Sequence, residues 1–151
     1  MKTVKHLLLA LLLFNTCSSA VAQITQDQIK GLLRLAEQGN GKAQHILGAI
    51  YYAGKEVKKD YKKAVKWTRL AAEQGDSKGQ YNLGTLYLNG RGVRKDYIKA
   101  YMWFSLSGAQ GDKAAIKERD RIQRQLNPIE LEKAQQLASQ WKLKKKTSTK
   151  K

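Results

Sequence analysis

Apolar residues recur along this chain at helical spacing, in two stretches that then repeat. In the first, Leu47, Ile50 and Tyr51 stand three and four residues apart, and in the second Ala64, Trp67, Leu70 and Ala71 do the same. Each set is one face of an α-helix. The pair of stretches returns 36 residues later: aligning 40–75 with 76–111 gives sixteen identities without a gap, among them Gln44/Gln80, Leu47/Leu83, Gly48/Gly84, Tyr51/Tyr87, Trp67/Trp103 and Gln74/Gln110. A fixed period of this length is the mark of stacked helical repeats. The punctuation agrees with the pattern. Gly54 and Gly90 follow the first helix of each unit, and Gly39, Gly75 and Gly111 follow a second helix, where a left-handed residue stops the chain. Asp60 and Asp96 stand where a carboxylate caps the free amides of the second helix.

The flanks read as incomplete units. Residues 23–39 form a leading half-repeat: Thr25 to Gln38 is amphipathic through Ile29, Leu32, Leu33 and Leu35, and its ending Ala36-Glu37-Gln38-Gly39 echoes Ala72-Glu73-Gln74-Gly75. Residues 112–141 form a degenerate closing unit. Lys113 to Leu126 supplies its first helix, and Asn127-Pro128-Ile129-Glu130 opens another with Asn as cap, Pro at the first helical position and Glu three beyond the cap. That last helix is expected to end near Trp141. Seven helices and no strands result, each unit packing on its neighbours and the atypical ends closing the stack. Gly48, Gly84, Ala64 and Ala100 are small where helices must approach, so a bulkier residue there would overpack by about 1–3 kcal/mol. Trp67 and Trp103 are expected in the core.

These residues resemble the Sel1-like repeat, a relative of the tetratricopeptide repeat, whose pattern is Leu-Gly, a Tyr three residues on, Gly-x-Gly-Val, Asp, Lys-Ala, Trp, Ala-Ala and Gly. The match reads Leu83-Gly84, Tyr87, Gly90-Arg91-Gly92-Val93, Asp96, Lys99-Ala100, Trp103 and Gly111, with Leu47-Gly48 to Gly75 as the first copy. The resemblance implies an all-α, right-handed α-α solenoid of antiparallel helix pairs and a scaffold that binds proteins. Two positions depart from it. Glu56 replaces the second loop glycine, so positive φ there would mean strain or a different turn. Ser107-Gly108 replaces the Ala-Ala pair and keeps both residues small.

Composition changes the picture at the two ends of the chain. Lys2 and Lys5, the apolar run Leu7 to Phe14 and the small residues Ala20-Val21-Ala22 read as a signal peptide over 1–22, giving Gln23 as the mature N-terminus and an exported, periplasmic or secreted bacterial protein. That apolar run is far shorter than the roughly 20 residues a spanning helix needs. Cys17 is the only cysteine, and Phe14-Asn15-Thr16 before it lacks the lipobox pattern, so the signal-peptide reading is preferred to a lipoprotein. A mature chain without cysteine has no disulfide, thiolate metal site or cysteine nucleophile. The formal net charge of +17 falls to +15 once Lys2 and Lys5 are removed. Six of those charges, Lys142, Lys144, Lys145, Lys146, Lys150 and Lys151, fall in 142–151, read as a basic disordered tail.

The chemistry inventory points away from an enzyme. No nucleophile elbow, Ser-x-x-Lys, His-Glu-x-x-His or phosphate loop is present, and His45 is the only histidine after the signal. No cofactor, metal or small-molecule substrate is expected, and nucleic acid is disfavoured by export and by the absence of a recognition motif. In tetratricopeptide-like arrays the first helices line a concave face, and their non-core positions bind partners. With Gly48 and Gly84 as register marks, those positions are Lys42, His45, Ala49 and Tyr52, then Lys78, Tyr81, Thr85 and Leu88, and Lys117, Arg121 and Arg124 in the closing unit. The expected groove is basic with two tyrosines, suited to a protein or peptide partner with acidic residues. The carboxylate clamp of some such domains is not reproduced, since of its positions only Asn82 fits. The alternative function is binding of an anionic surface or polymer through the lysine tail and the basic face.

Overall fold

The computed structural model of the chain describes residues 24–148. Residues 1–22, expected to be a signal peptide, and with them Cys17, as well as Lys150 and Lys151, lie outside the described residues. Seven helices follow one another without a strand among the described residues: α1 (Gln26–Glu37), α2 (Gly41–Ala53), α3 (Tyr61–Gln74), α4 (Ser77–Asn89), α5 (Tyr97–Gly108), α6 (Lys113–Gln123) and α7 (Pro128–Ser148).

Helix ends follow the sequence signals closely. Asp60 and Asp96 accept hydrogen bonds from the amides of Lys63 and Lys99, each at 2.9 Å. Thr25 with Gln28 and Asn127 with Glu130 form reciprocal capping boxes at the starts of α1 and α7. The five stop glycines have φ between +64° and +98°. The second loop glycine behaves differently in the two units. Gly92 has φ +71°, and a Cβ there would meet the Tyr61 carbonyl oxygen at 2.3 Å. Glu56, its counterpart, avoids positive φ and uses its carbonyl to accept from Gln26 Nε2 at 3.0 Å. The first loop therefore makes a different turn without positive φ at this position.

Packing is sequential. Helix α2 pairs with α3 and α4 with α5, α3 leads into α4, and α2 also touches α4 across the stack. Three buried clusters form a continuous spine: Ile29, Leu47, Ile50 and Trp67 at the start, Val65, Leu83, Leu86, Trp103 and Leu106 in the middle, Tyr101, Phe104, Ile122 and Ala134 at the end. Leu47 and Leu83 are fully buried, and Trp67 and Trp103 are only 6% and 7% exposed. Small residues permit the closest approaches. A Cβ on Gly48 would lie 2.1 Å from Thr68 Oγ1, and one on Gly84 would lie 2.9 Å from the Phe104 ring.

A polar ladder joins successive units at the end opposite the α2–α3 and α4–α5 loops. Buried Gln44 donates to the Ala36 carbonyl and accepts from Gln74, and buried Gln80 donates to the Ala72 carbonyl and accepts from Gln110. The Ala36 and Ala72 carbonyls, which already accept from the Gly39 and Gly75 amides, thereby gain a second donor from the next unit. These four glutamines were legible as identities at polar positions, but pattern alone assigns them no role.

Three expectations are corrected. Leu35 and Leu70, at helical spacing with buried neighbours, are 46% and 37% exposed, because each falls at the margin of its helix's apolar stripe. Helix α6 ends at Gln123 rather than Leu126, since Asn127-Pro128 restarts the chain and Leu126 folds back against the last cluster. Helix α7 continues to Ser148 past Trp141, so residues 142–148 are helical and not a disordered tail. Lys and Leu propagate a helix well, and no Gly or Pro interrupts them. Helix α7 lies against α5, where the Trp141 ring meets Trp103 edge-on at 6.0 Å.

Candidate functional site

Helices α2 and α4 diverge above α3 and leave a cleft of about 230 Å³ between them. Its walls are Gly48, Ala49 and Tyr52 from α2 and Tyr81, Asn82, Thr85 and Leu86 from α4, with Thr68 of α3 beneath. The cleft exists because Gly48 and Ala49 hold almost no side chain on one wall while Thr68 is short at the floor. Among the residues expected on the concave face, Ala49, Tyr52, Tyr81 and Thr85 are brought together here. Gly48, Thr68, Asn82 and Leu86 complete the lining. The sequence pattern places Gly48 at a helix contact and Asn82 only at a clamp position, and gives no register for Thr68 on the neighbouring helix.

Each tyrosine is held from behind. Tyr81 packs tilted on Phe104 with ring centres 5.6 Å apart. Tyr52 packs on Tyr61 at 5.5 Å, and Arg91 from the next loop lies over the Tyr52 ring while donating to its hydroxyl. Thr85 spends its hydroxyl on the Tyr81 carbonyl at 3.1 Å. Walls fixed in this way lose little freedom when a ligand enters.

The charged positions of the expected stripe do not converge on the cleft as open cations. Lys78 donates to Asp112 Oδ2 at 2.9 Å. Burial pushes the Asp112 carboxyl up, but hydrogen bonds from Lys78 and from the amides of Ala115 and Ala114, with the charge of Lys78, outweigh it and hold Asp112 below the usual carboxylate range. The same bond and charge hold Lys78 above the usual lysine range. Arg121 is gripped through two nitrogens by Glu118 at 3.0 and 2.7 Å. His45 Nδ1 lies 3.2 Å from Asp76 Oδ1 without hydrogen-bond alignment. Leu88 is half-buried against the last cluster, while Lys42, Lys117 and Arg124 are exposed. The result is an apolar cleft with cations at a distance, rather than a uniformly basic groove. Among the described residues no group of His, Cys, Asp and Glu is placed to hold a metal ion.

Comparison with known proteins agrees with this geometry. The Sel1 repeat family model matches residues 41–76 and 77–112. Among the curated proteins none matches the chain. A crystal structure of a protective antigen present in uropathogenic Escherichia coli strains, displaying a Sel1-like repeat fold, superposes with a TM-score of 0.73 at 34% identity, covering 76% of this chain and 25% of that one. A Sel1 repeat protein from Oxalobacter formigenes superposes with a TM-score of 0.62 at 33% identity, covering 63% and 28%. The chain thus spans about a quarter of the length of these relatives. Two consecutive Sel1 repeats in an all-α solenoid, between a leading helix and a degenerate closing pair, make this chain a member of the Sel1-like repeat family.

Proposed function

We propose that the protein is a non-enzymatic scaffold that binds a protein or peptide segment on the face lined by α2, α4 and α6, with the cleft between α2 and α4 as its anchor point. Family membership supports the general role, since Sel1 repeats form interaction scaffolds. The cleft carries the finer reading. It takes one apolar side chain between Tyr52 and Tyr81, and the Asn82 amide is placed to bond the main chain beside it. Rigid aromatic walls around a small apolar recess are the usual make-up of a binding hot spot. Acidic residues flanking the anchor face Lys42 and Lys117, the exposed cations of the stripe, with Arg124 beyond them. Ion pairs already made by Lys78 and Arg121 favour the apolar anchor as the main source of affinity.

The sequence at 1–22 supports export through a cleaved signal, and mass spectrometry of the cellular protein should find Gln23 first. No helix among the described residues is long and apolar enough to cross a membrane. For the groove, a photo-crosslinker at Ala49 in the native cell should capture one partner. Asn82→Arg and Thr85→Arg, on the facing wall of the cleft, should each abolish that capture with the helical spectrum intact. Undiminished capture by both variants removes the cleft from the function.

A further inference from the structure

The loops from α2 to α3 and from α4 to α5 lie along one edge of the solenoid with the turn from α6 to α7. Arg91 of the second loop reaches Tyr52 and Tyr61 of the first, and Leu126 of the turn lines a cleft with Val93, Arg94 and Lys95 of the second. This edge is strongly cationic. Lys55, Lys58, Lys59, Lys62 and Lys63 are exposed on the first unit. The second adds Arg91, Arg94, Lys95 and Lys99, and the third adds Arg121 and Arg124. Acidic groups here are few: Asp60 and Asp96 cap helices, Glu130 caps α7, Glu118 holds Arg121, and Glu56 stands among the lysines of the first loop. At the opposite edge the cap residues Asp76 and Asp112 face Lys78 and His45, and charge nearly balances.

Tyrosines lie beneath the cations. Lys63 stands 5.2 Å from the ring centre of Tyr51, Lys95 4.7 Å from Tyr97 and Lys99 5.3 Å from Tyr87. Such contacts hold the ammonium groups over amphipathic rings, the residue type enriched at membrane interfaces. One apolar side chain also stands out at this edge. Ile129, in the first turn of α7 and next to the Glu130 that shares a cleft with Arg94 and Lys95, is 78% exposed, against 46% for Leu35 and 37% for Leu70.

We infer that this edge docks on an anionic phospholipid bilayer, its cations against headgroup phosphates and Ile129 in the acyl boundary beneath them. A single exposed apolar residue is ordinary on its own. Its place within a cationic rim is what selects the bilayer, because a nucleic acid or an acidic glycan gains nothing from an aliphatic side chain raised among the charges. Cations near such a surface add attraction cooperatively and are screened by salt. Lys144 and Lys145 near the end of α7 line a separate cleft with Glu73, Trp103 and Trp141.

Sedimentation of the full chain with vesicles tests the inference, wild type and variants being compared so that residues 1–23 contribute equally to all. Vesicles of equal parts phosphatidylglycerol and phosphatidylcholine should bind the protein more tightly than phosphatidylcholine alone. Replacing Lys58, Lys59, Arg94 and Lys95 together by Gln should lower partitioning by about a hundredfold or more at low salt. Ile129→Ser, which keeps every charge, should lower it about tenfold. Neither change touches the buried spine, and circular dichroism should show both variants helical. Equal partitioning of the fourfold variant and wild type overturns the proposal. So does an Ile129→Ser variant that partitions like wild type while soluble heparin competes equally for both, the outcome of a site for linear polyanions. Thr85→Arg should leave vesicle binding unchanged, so this edge and the α2–α4 cleft stand or fall separately.

Discussion

The two repeats share sixteen positions by identity yet differ at one place that shapes the concave face: Thr68 in the first unit corresponds to Phe104 in the second. Both side chains pack against the glycine of the preceding helix, Thr68 on Gly48 and Phe104 on Gly84. In the second unit the ring fills the space over Gly84 and supports Tyr81. In the first unit the short Thr68 packs on Gly48 but does not extend beyond it, and the cleft between α2 and α4 lies above it. A repeat scaffold thus acquires a recess by omitting a core side chain from one unit, while the glycine that brings the helices together stays the same. The loops offer a second contrast, with a left-handed conformation that only glycine adopts freely at Gly92 and an ordinary backbone at Glu56.

Breaking the filled unit should have the largest effect. Phe104→Ala removes a fully buried ring and should cost about 4 kcal/mol in denaturant unfolding, opening a second recess over Gly84. A cost below about 1 kcal/mol would mean that the ring is not what separates the units. Exchanging the loop residues comes next: Gly92→Glu places a side chain at positive φ against the Tyr61 carbonyl and should cost about 3 kcal/mol, whereas Glu56→Gly should cost about 1 kcal/mol or less, through unfolded-chain entropy. Filling the open unit should be milder for stability and severe for binding. Thr68→Phe should cost about 2 kcal/mol at most and abolish partner capture from Ala49. Capture that survives a ring in the cleft argues for a binding face elsewhere.

The smallest effect concerns Asp112, which caps α6 and holds Lys78. Its folded pKa lies below the unfolded value, so its contribution to stability is complete above the unfolded carboxylate range and is lost as pH falls through the folded pKa. Asp112→Ala, which removes the cap and the partner of Lys78, should cost about 1 kcal/mol at neutral pH and should flatten the acid limb of the stability profile. An acid limb identical to wild type would assign that limb to other carboxylates.

Much of the fold could be read directly from the residues, and the reason is local. Leu47, Trp67 and their counterparts recur at helical spacing, Asp60, Asp96 and Asn127 offer caps, and glycines stop the helices, all within a turn or two of chain. The candidate cleft was half legible. Ala49, Tyr52, Tyr81 and Thr85 follow from the register of α2 and α4, but Thr68 belongs to another helix and enters only when α3 packs beneath them. Of the cations expected in the groove, Lys78 and Arg121 are paired with Asp112 and Glu118, pairings that the register of the binding stripe does not reveal.

By itself the sequence determined the number of helices, their caps, the repeat period and the buried spine, because each depends on propensity and periodicity within neighbouring residues. Only the tertiary structure decided where the stack leaves a void, which cations stay open and along which edge they gather. Those properties depend on side chains tens of residues apart meeting across helices, and on whether the space between them is filled by a ring or left by a threonine.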